Sequence, residues 1–181
     1  DNSKVLIISA DADDEEKNNK IIKIFTISFP MSGLSISQMY ICDNRNEKLV
    51  NESSGYDVLI LADGHVPTQN KFFEKIRLRE HISHFKRTII GISAGTMNCA
   101  EVVYAQPELV GESLDKEYKR FLFGLGITKL MILPHYQDIK DDFLDGQRLF
   151  EDITYPDSYG REFYVLEDGN SVRFSHCKEK L

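Results

Sequence analysis

The sequence predicts an α/β protein built on a mostly parallel, doubly wound sheet with helices on both faces. Its short strands are continuous apolar runs rather than alternating patterns, which is typical of strands covered on both faces. Segments with helical character separate these runs, as expected for β-α-β crossovers. The length of 181 residues fits one domain, so we interpret residues 1–181 as a single α/β domain.

The first half of the chain is predicted to carry four strands and two helices. The acidic residues 11–16 favour the start of the first helix, because carboxylates stabilise its positive end. The second helix is predicted over residues 70–85, where apolar side chains share one face. The predicted strands are residues 4–10 (KVLIISA), 36–42, 56–61 (YDVLIL) and 87–92 (RTIIGI).

The second half of the chain is predicted to be more irregular. Residues 106–115 form a loop, and Pro134 stops the strand at residues 128–133. Helices are expected over residues 96–104 and 142–150. A C-terminal β-hairpin is expected from residues 162–166 and 171–174, joined by a turn at Asp168-Gly169.

Composition excludes several classes of function. The formal net charge of −7 argues against nucleic acid as a partner, because the chain would repel phosphate backbones. No apolar run is long enough for a membrane span, so no membrane partner is expected. Cys42, Cys99 and Cys177 lack metal-ligand spacing and are expected to be free thiols of a cytoplasmic protein. No cofactor or metal is expected.

The pentapeptide Gly91-Ile92-Ser93-Ala94-Gly95 is the motif most indicative of chemistry. A G-x-S-x-G sequence between a strand and a helix is typical of a nucleophile elbow, in which a tight turn exposes the serine hydroxyl. The glycines relieve crowding because they lack Cβ atoms. Ser93 is therefore the candidate nucleophile, and the Ala94 N–H is a candidate oxyanion donor.

A serine nucleophile needs a base, and His135 is the leading candidate. It follows a buried-type strand and Pro134, so it should lie at the carboxyl end of the sheet, where open α/β sheets hold their sites. His65 is the rival, whereas His176 falls in the charged tail. Gly64, after the third strand, could supply the second oxyanion donor. Spacing does not choose the carboxylate that orients the base among Glu108, Glu112, Asp138, Glu162 and Glu167.

These motifs resemble peptidase family S51, the serine peptidases related to dipeptidase E (aspartyl dipeptidase) and cyanophycinase. The resemblance covers nearly the whole chain, and GISAG around Ser93 and ILPHY around His135 are its most specific parts. It implies the class I glutamine amidotransferase-like fold and short peptide substrates. It also implies a triad of Ser93, His135 and a carboxylate, for which Glu108 is the first choice and Glu167 the second.

The sequence departs from the family pattern at three places. The glycine-rich turn after the third strand reads Asp63-Gly64-His65-Val66, which puts a charge beside the expected oxyanion hole. Tyr104 stands where the dipeptidase has an arginine, so specificity for aspartyl peptides does not carry over. The family also has a further β-α unit before the first strand, and we expect that this chain lacks it.

We therefore expect a metal-independent serine peptidase that hydrolyses amide bonds of short peptides as a monomer or homodimer. The alternative is a catalytically inactive binding or regulatory protein that retains the fold. A third, weaker hypothesis is an amidotransferase-like domain in which serine replaces the nucleophilic cysteine.

Overall fold

The computed structural model describes residues 2–175 and 178–180. Its internal contacts divide the chain into two compact units, Asp1–Asn98 and Cys99–Leu181. The expectations for His176 and Cys177 concern positions outside the described residues. The interpretation as a single domain stays a prediction, and the two units are described separately below.

The first unit alternates strands and helices in the predicted way. Its elements are β1 (Ser3–Ile8), α1 (Glu15–Met31), β2 (Ile36–Cys42), a 3₁₀ segment (Glu47–Gly55), β3 (Val58–Leu61), α2 (Val66–Lys75), α3 (Leu78–Ile82), β4 (Thr88–Gly91) and α4 (Ala94–Asn98).

The four strands of this unit form one parallel sheet in the order β2-β1-β3-β4. Ile8 of β1 is in register with Leu61 of β3, which is in register with Gly91 of β4. Three neighbouring strands therefore end at the same edge, and the segments that follow them emerge side by side. The prediction of an α/β fold with a parallel sheet flanked by helices is confirmed.

The central strands are buried on both faces, as their continuous apolar sequences predict. Residues Val5, Leu6, Ile7 and Ile8 of β1 are fully buried. On one face, Val5, Ile7 and Ile60 pack with apolar side chains of α1. The opposite face carries Leu61, against which the start of α4 packs closely.

A buried polar network anchors the start of α1 to the sheet. The Ser9 hydroxyl donates to Asn18 Oδ1 at 2.7 Å, and Asn18 Nδ2 donates to Asp43 Oδ2 at 3.3 Å. Arg45 also donates to the fully buried Asp43 carboxylate, with Nε 3.0 Å from Oδ2. Because each buried group has a partner, the network fixes α1 relative to the ends of β1 and β2.

The second unit consists of short paired strands and short helices. Its elements are β5 (Val102–Tyr104), β6 (Phe121–Phe123), β7 (Met131–Leu133), α5 (Tyr136–Ile139), β8 (Phe143–Leu144), β9 (Gln147–Arg148), a π-helical turn (Leu149–Thr154), α6 (Tyr155–Asp157), β10 (Phe163–Val165), β11 (Arg173–Ser175) and β12 (Lys178–Lys180).

The predicted C-terminal hairpin is wrong in its pairing. Residues Phe163–Val165 pair in parallel with Met131–Leu133, whereas Arg173–Ser175 pairs antiparallel with Lys178–Lys180. The turn at Asp168-Gly169 therefore does not join two strands of one hairpin. The parallel pairing of β10 with β7 brings the ends of these two strands to the same edge.

Three predicted helices also differ from the structure. The helix over residues 142–150 is wrong, because Asp145 and Gly146 adopt left-handed backbone with φ of 51° and 81° and join β8 to β9. The helix over 70–85 is interrupted at Arg77, which has a φ of 53°. The helix over 96–104 ends at Asn98, and Val102–Tyr104 forms β5 instead.

Among residues 2–175 and 178–180, no helix combines the length and apolar character that a membrane crossing requires.

Candidate active site

Ser93 occupies a strained turn between β4 and α4. Its φ of 50° lies in the left-handed region, which is uncommon for a residue with a side chain. The Ile92 N–H donates to the Leu61 carbonyl at 3.0 Å, and the Thr96 N–H donates to the Ser93 carbonyl at 2.8 Å. The backbone thus turns sharply from sheet to helix at the serine, as a nucleophile elbow requires.

The two flanking glycines make this turn possible. A Cβ on Gly95 would lie 2.2 Å from the Leu61 carbonyl oxygen, and a Cβ on Gly91 would lie 2.7 Å from Thr96 Cα. Both neighbours are backbone atoms, so neither clash could be relieved by a side-chain rotation. The absence of a Cβ at the two glycines of the motif therefore allows α4 to pack closely against β3 and β4.

The expected oxyanion donors lie on the same edge of the first unit's sheet. Gly64 lies between β3 and α2, and its α-carbon packs closely against Ala10, since an added Cβ would be 2.6 Å from the Ala10 Cβ. Ala94 is the first residue of α4 and is buried. Their role as oxyanion donors stays a prediction.

His65, the rival base, begins the segment that leads into α2. Its Nδ1 lies 2.8 Å from the hydroxyl oxygen of Thr68. This contact is a local one at the start of a helix and involves no carboxylate.

His135 lies in the second unit and forms a close pair with Asp168. Its Nδ1 is 2.6 Å from Asp168 Oδ1. Both side chains are about half exposed, so the pair contributes little to stability and acts mainly on the orientation of the ring. An acceptor at Nδ1 favours the tautomer with its proton on Nδ1, which leaves Nε2 as the basic nitrogen.

The backbone around this pair is also held in place. His135 has a φ of 61° and precedes α5, and the Tyr136 N–H donates to the Leu166 carbonyl at 3.1 Å. The Gln137 side-chain oxygen accepts from the Asp168 N–H at 3.0 Å. These bonds tie the segment after β7 to the segment after β10.

Asp168 is the carboxylate that contacts His135 Nδ1 in the structure, and sequence reasoning missed it. The sequence pattern places Asp168 in the turn of a predicted hairpin, so the five candidate carboxylates do not include it. The strand-end rule that pointed to His135 also points to Asp168, since Leu133 of β7 and Val165 of β10 are in register. His135 follows Leu133 by two positions, and Asp168 follows Val165 by three.

The first-choice and second-choice carboxylates, Glu108 and Glu167, are both exposed residues of the second unit. Glu108 is exposed in the segment between β5 and β6, where its N–H donates to Glu112 Oε2 at 2.9 Å. Glu167 is exposed and directly precedes Asp168. The assignment of Glu108 or Glu167 as the acidic member of a triad stays a prediction.

Tyr104 belongs to the core of the second unit. Its hydroxyl lies 2.8 Å from Asp157 Oδ2, and burial raises the pKa of the phenol well above its usual value. Arg120 Nη1 contacts the same carboxylate oxygen at 3.2 Å. The residue that stands in place of the dipeptidase arginine is therefore engaged in internal packing.

The second unit contains a cavity of about 570 Å³, whose lining includes the chain neighbours of His135 and Asp168. Its lining includes Tyr136, Tyr164 and Glu167, which provide aromatic surface and a carboxylate. Cavities of this size accommodate small organic molecules.

Three side chains in this region could hold a metal ion. Ligand atoms of His135, Asp138 and Asp168 lie within 4.8 Å of one another. One imidazole and two carboxylates form a ligand set that suits a divalent transition metal.

The two described cysteines do not offer a competing nucleophile. Cys42 and Cys99 are buried and form no disulfide. Burial raises the pKa of each thiol to about 12, so both remain protonated near neutral pH.

Comparisons with known proteins relate this chain to others through its fold. No protein-family model and no curated protein matches the sequence. Among solved structures, the chain is similar to a crystal structure described as that of a "Putative Peptidase E Protein" from Listeria monocytogenes EGD-e. The TM-score is 0.57 at 16% sequence identity, over 90% of this chain and 77% of that chain. At this identity the likeness concerns the fold alone.

The geometry of the elbow predicts that Gly95→Ala is strongly destabilising. The added methyl group would collide with the Leu61 carbonyl, and we expect a loss of at least ~2 kcal/mol in the free energy of unfolding. Urea denaturation measures this loss.

Gly55→Ala is the matched control, because a Cβ there meets no atom within 4 Å and the backbone φ is not positive. It should leave stability unchanged or slightly raised. Equal stability of the Gly95→Ala and Gly55→Ala variants would contradict the close approach of α4 to β3.

Proposed function

We propose that the chain is a serine peptidase of the dipeptidase E type that hydrolyses amide bonds of short peptides. The backbone of Ser93 carries the proposal: the serine has a φ of 50° between strand β4 and helix α4, and glycines are required on both sides of it. A strained residue in a sparsely populated region is costly, by roughly 1–3 kcal/mol, and is typical of functional sites.

In the proposed mechanism, Ser93 Oγ attacks the carbonyl carbon of the scissile amide. His135 Nε2 accepts the hydroxyl proton and then donates it to the departing amine. The resulting acyl-enzyme is hydrolysed by water, whose proton passes to His135 and then back to Ser93. Gly64 and Ala94 N–H groups stabilise the oxyanion that forms in each half of the reaction.

Asp168 is the orienting carboxylate in this proposal. The 2.6 Å contact with His135 Nδ1 supports that role, because it would hold the ring in the tautomer that accepts a proton at Nε2. Asp168 would also stabilise the imidazolium that forms after proton transfer. Glu108 is the competing candidate for the orienting carboxylate, and only the family resemblance supports it.

The remaining parts of the proposal rest on composition and on the family resemblance. A short peptide is the substrate, and the reaction needs no cofactor. The buried thiols of Cys42 and Cys99, which form no disulfide, are compatible with a cytoplasmic location. We propose a monomer or homodimer as the active form.

Replacement of Ser93 by alanine should abolish peptide hydrolysis. Without the nucleophile we expect a loss of at least ~1,000-fold in kcat, with no loss of stability. Release of amino acids from a dipeptide library measures the effect. Ser32→Ala is the control, because Ser32 is an exposed serine whose hydroxyl only donates to the Ser28 carbonyl. Equal turnover by both variants would refute Ser93 as nucleophile.

Two carboxylate variants decide between Asp168 and Glu108. Asp168→Asn should lower kcat by at least ~100-fold, because the amide cannot support the required tautomer and charge. Glu108→Gln should retain nearly full activity. Steady-state kinetics at neutral pH measures both variants, and the reverse ranking would assign the orienting role to Glu108.

The cluster of His135, Asp138 and Asp168 favours a second mechanism, in which a bound metal activates water. The serine mechanism predicts that a chelator leaves hydrolysis unchanged. It also predicts that added Zn²⁺ inhibits, since a metal on His135 would block proton transfer. Loss of activity in EDTA, with recovery on addition of Zn²⁺, would instead favour the metal mechanism.

The inactive binding protein remains the alternative function. The exposed Asp63 carboxylate beside Gly64 favours it, because a negative charge there would oppose a developing oxyanion. Such a protein would bind short peptides without turning them over. Equilibrium binding in the absence of hydrolysis distinguishes it from the peptidase.

A further inference from the structure

Lys17 brings a positive charge to the turn that carries Gly64. A Cβ built on Gly64 would lie 3.5 Å from Lys17 Nζ, so the ammonium group lies against the α-carbon side of this glycine. Lys17 is in the first turn of α1 and is only partly exposed. The ammonium therefore lies at the edge of the sheet where the segments after β1, β3 and β4 emerge.

The Lys17 ammonium group has no carboxylate partner among the residues that the structure describes. Lys20, one turn further along α1, differs in this respect because it pairs with Glu16 at 2.7 Å. Acidic side chains are plentiful near the start of α1, yet none takes up the charge of Lys17. An anionic ligand could therefore bind there without displacing an internal ion pair.

The backbone that carries Lys17 is fixed. Asp14 accepts a hydrogen bond from the Lys17 N–H at 2.9 Å, which caps the helix. The next residue, Asn18, belongs to the buried network with Ser9 and Asp43. Only the side chain of Lys17 needs to adjust to a ligand, so little ordering of the backbone would oppose binding.

The position of Lys17 relative to Ser93 fits the length of a dipeptide. Gly64 and Ser93 emerge from adjacent strands, and β1 lies on the other side of β3. At about 4.8 Å per strand, the ammonium lies on the order of 5–10 Å from the serine. One substrate residue spans ~3.5 Å between the scissile carbonyl and the C-terminal carboxylate. With a contact of ~3 Å to the serine at one end and to the ammonium at the other, the two protein groups could be ~10 Å apart.

We propose that Lys17 binds the free C-terminal carboxylate of the substrate and thereby selects dipeptides. This inference rests on the proposed function, since it assigns a substrate group to the site of Ser93. The carboxylate would follow the scissile amide by one residue, on the side of the leaving amine. The positive charge of Lys17 also offsets the negative charge of Asp63 at the Gly64 turn, so this turn repels an anion less strongly.

The test compares dipeptides of the form Xaa-Ala with the matching Xaa-Ala amides, which lack the carboxylate. In the Lys17→Gln variant, KM for the acids should rise about 10-fold, because a charge-assisted hydrogen bond is lost. KM for the amides should stay unchanged. Lys17→Arg should recover most of the affinity for the acids, since it keeps the charge.

Lys20→Gln is the matched control, because it removes a lysine of the same helix whose charge is already paired. The proposal is overturned if Lys17→Gln and Lys20→Gln behave alike. It is also overturned if Lys17→Gln lowers kcat equally for acids and amides, which would place the ammonium at the oxyanion instead.

A binding measurement separates this inference from the proposed function. If the wild-type protein hydrolyses neither series, the peptidase proposal fails, and calorimetry of Xaa-Ala dipeptides with the Ser93→Ala variant decides the role of Lys17. Binding weakened about 10-fold by the added Lys17→Gln change would support carboxylate recognition. Unchanged or absent binding would refute it.

Discussion

The left-handed backbone at Ser93 is the constraint on which the candidate site depends. This conformation is unfavourable for a residue with a side chain, and it persists because the surrounding structure permits no other path. The Leu61 carbonyl accepts from the Ile92 N–H and also lies where a Cβ of Gly95 would be. The packing of α4 against the end of β3 thus determines both the turn and the exposure of the serine.

The same structural rule positions the candidate groups of each unit. In the first unit, parallel strands β1, β3 and β4 end in register, and the segments after them carry Lys17, Gly64 and Ser93. In the second unit, parallel strands β7 and β10 end in register, and His135 and Asp168 follow them. In both cases, a rigid strand end positions a side chain on a short segment, which is where open α/β sheets hold their sites.

The sequence was most informative where local and tertiary preferences agree. Continuous apolar runs predicted the central strands β1 and β3, since burial on both faces leaves a direct mark on composition. The G-x-S-x-G motif predicted the turn at Ser93, because a close backbone approach restricts residue types. Both signals are local, and both are confirmed in the fold.

Failures arose where strand pairing or a single left-handed residue decides the outcome. Asp168 was missed because residues 162–174 read as one hairpin, whereas β10 pairs with the distant β7. The Asp145-Gly146 pair was read as part of a helix, although this dipeptide is a strong turn signal. Lys17 could not be found from the sequence, since its approach to Gly64 depends on how α1 packs on the sheet.

The central claim is that Ser93 is an activated nucleophile whose proton is taken by His135. Labelling with a fluorophosphonate probe, mapped by mass spectrometry of peptides, tests it directly, because only an activated hydroxyl reacts. The account predicts covalent modification at Ser93 in the wild-type protein and its loss in the His135→Ala variant. An unlabelled Ser93 in the folded wild-type protein, or equal labelling after His135 is removed, would contradict it.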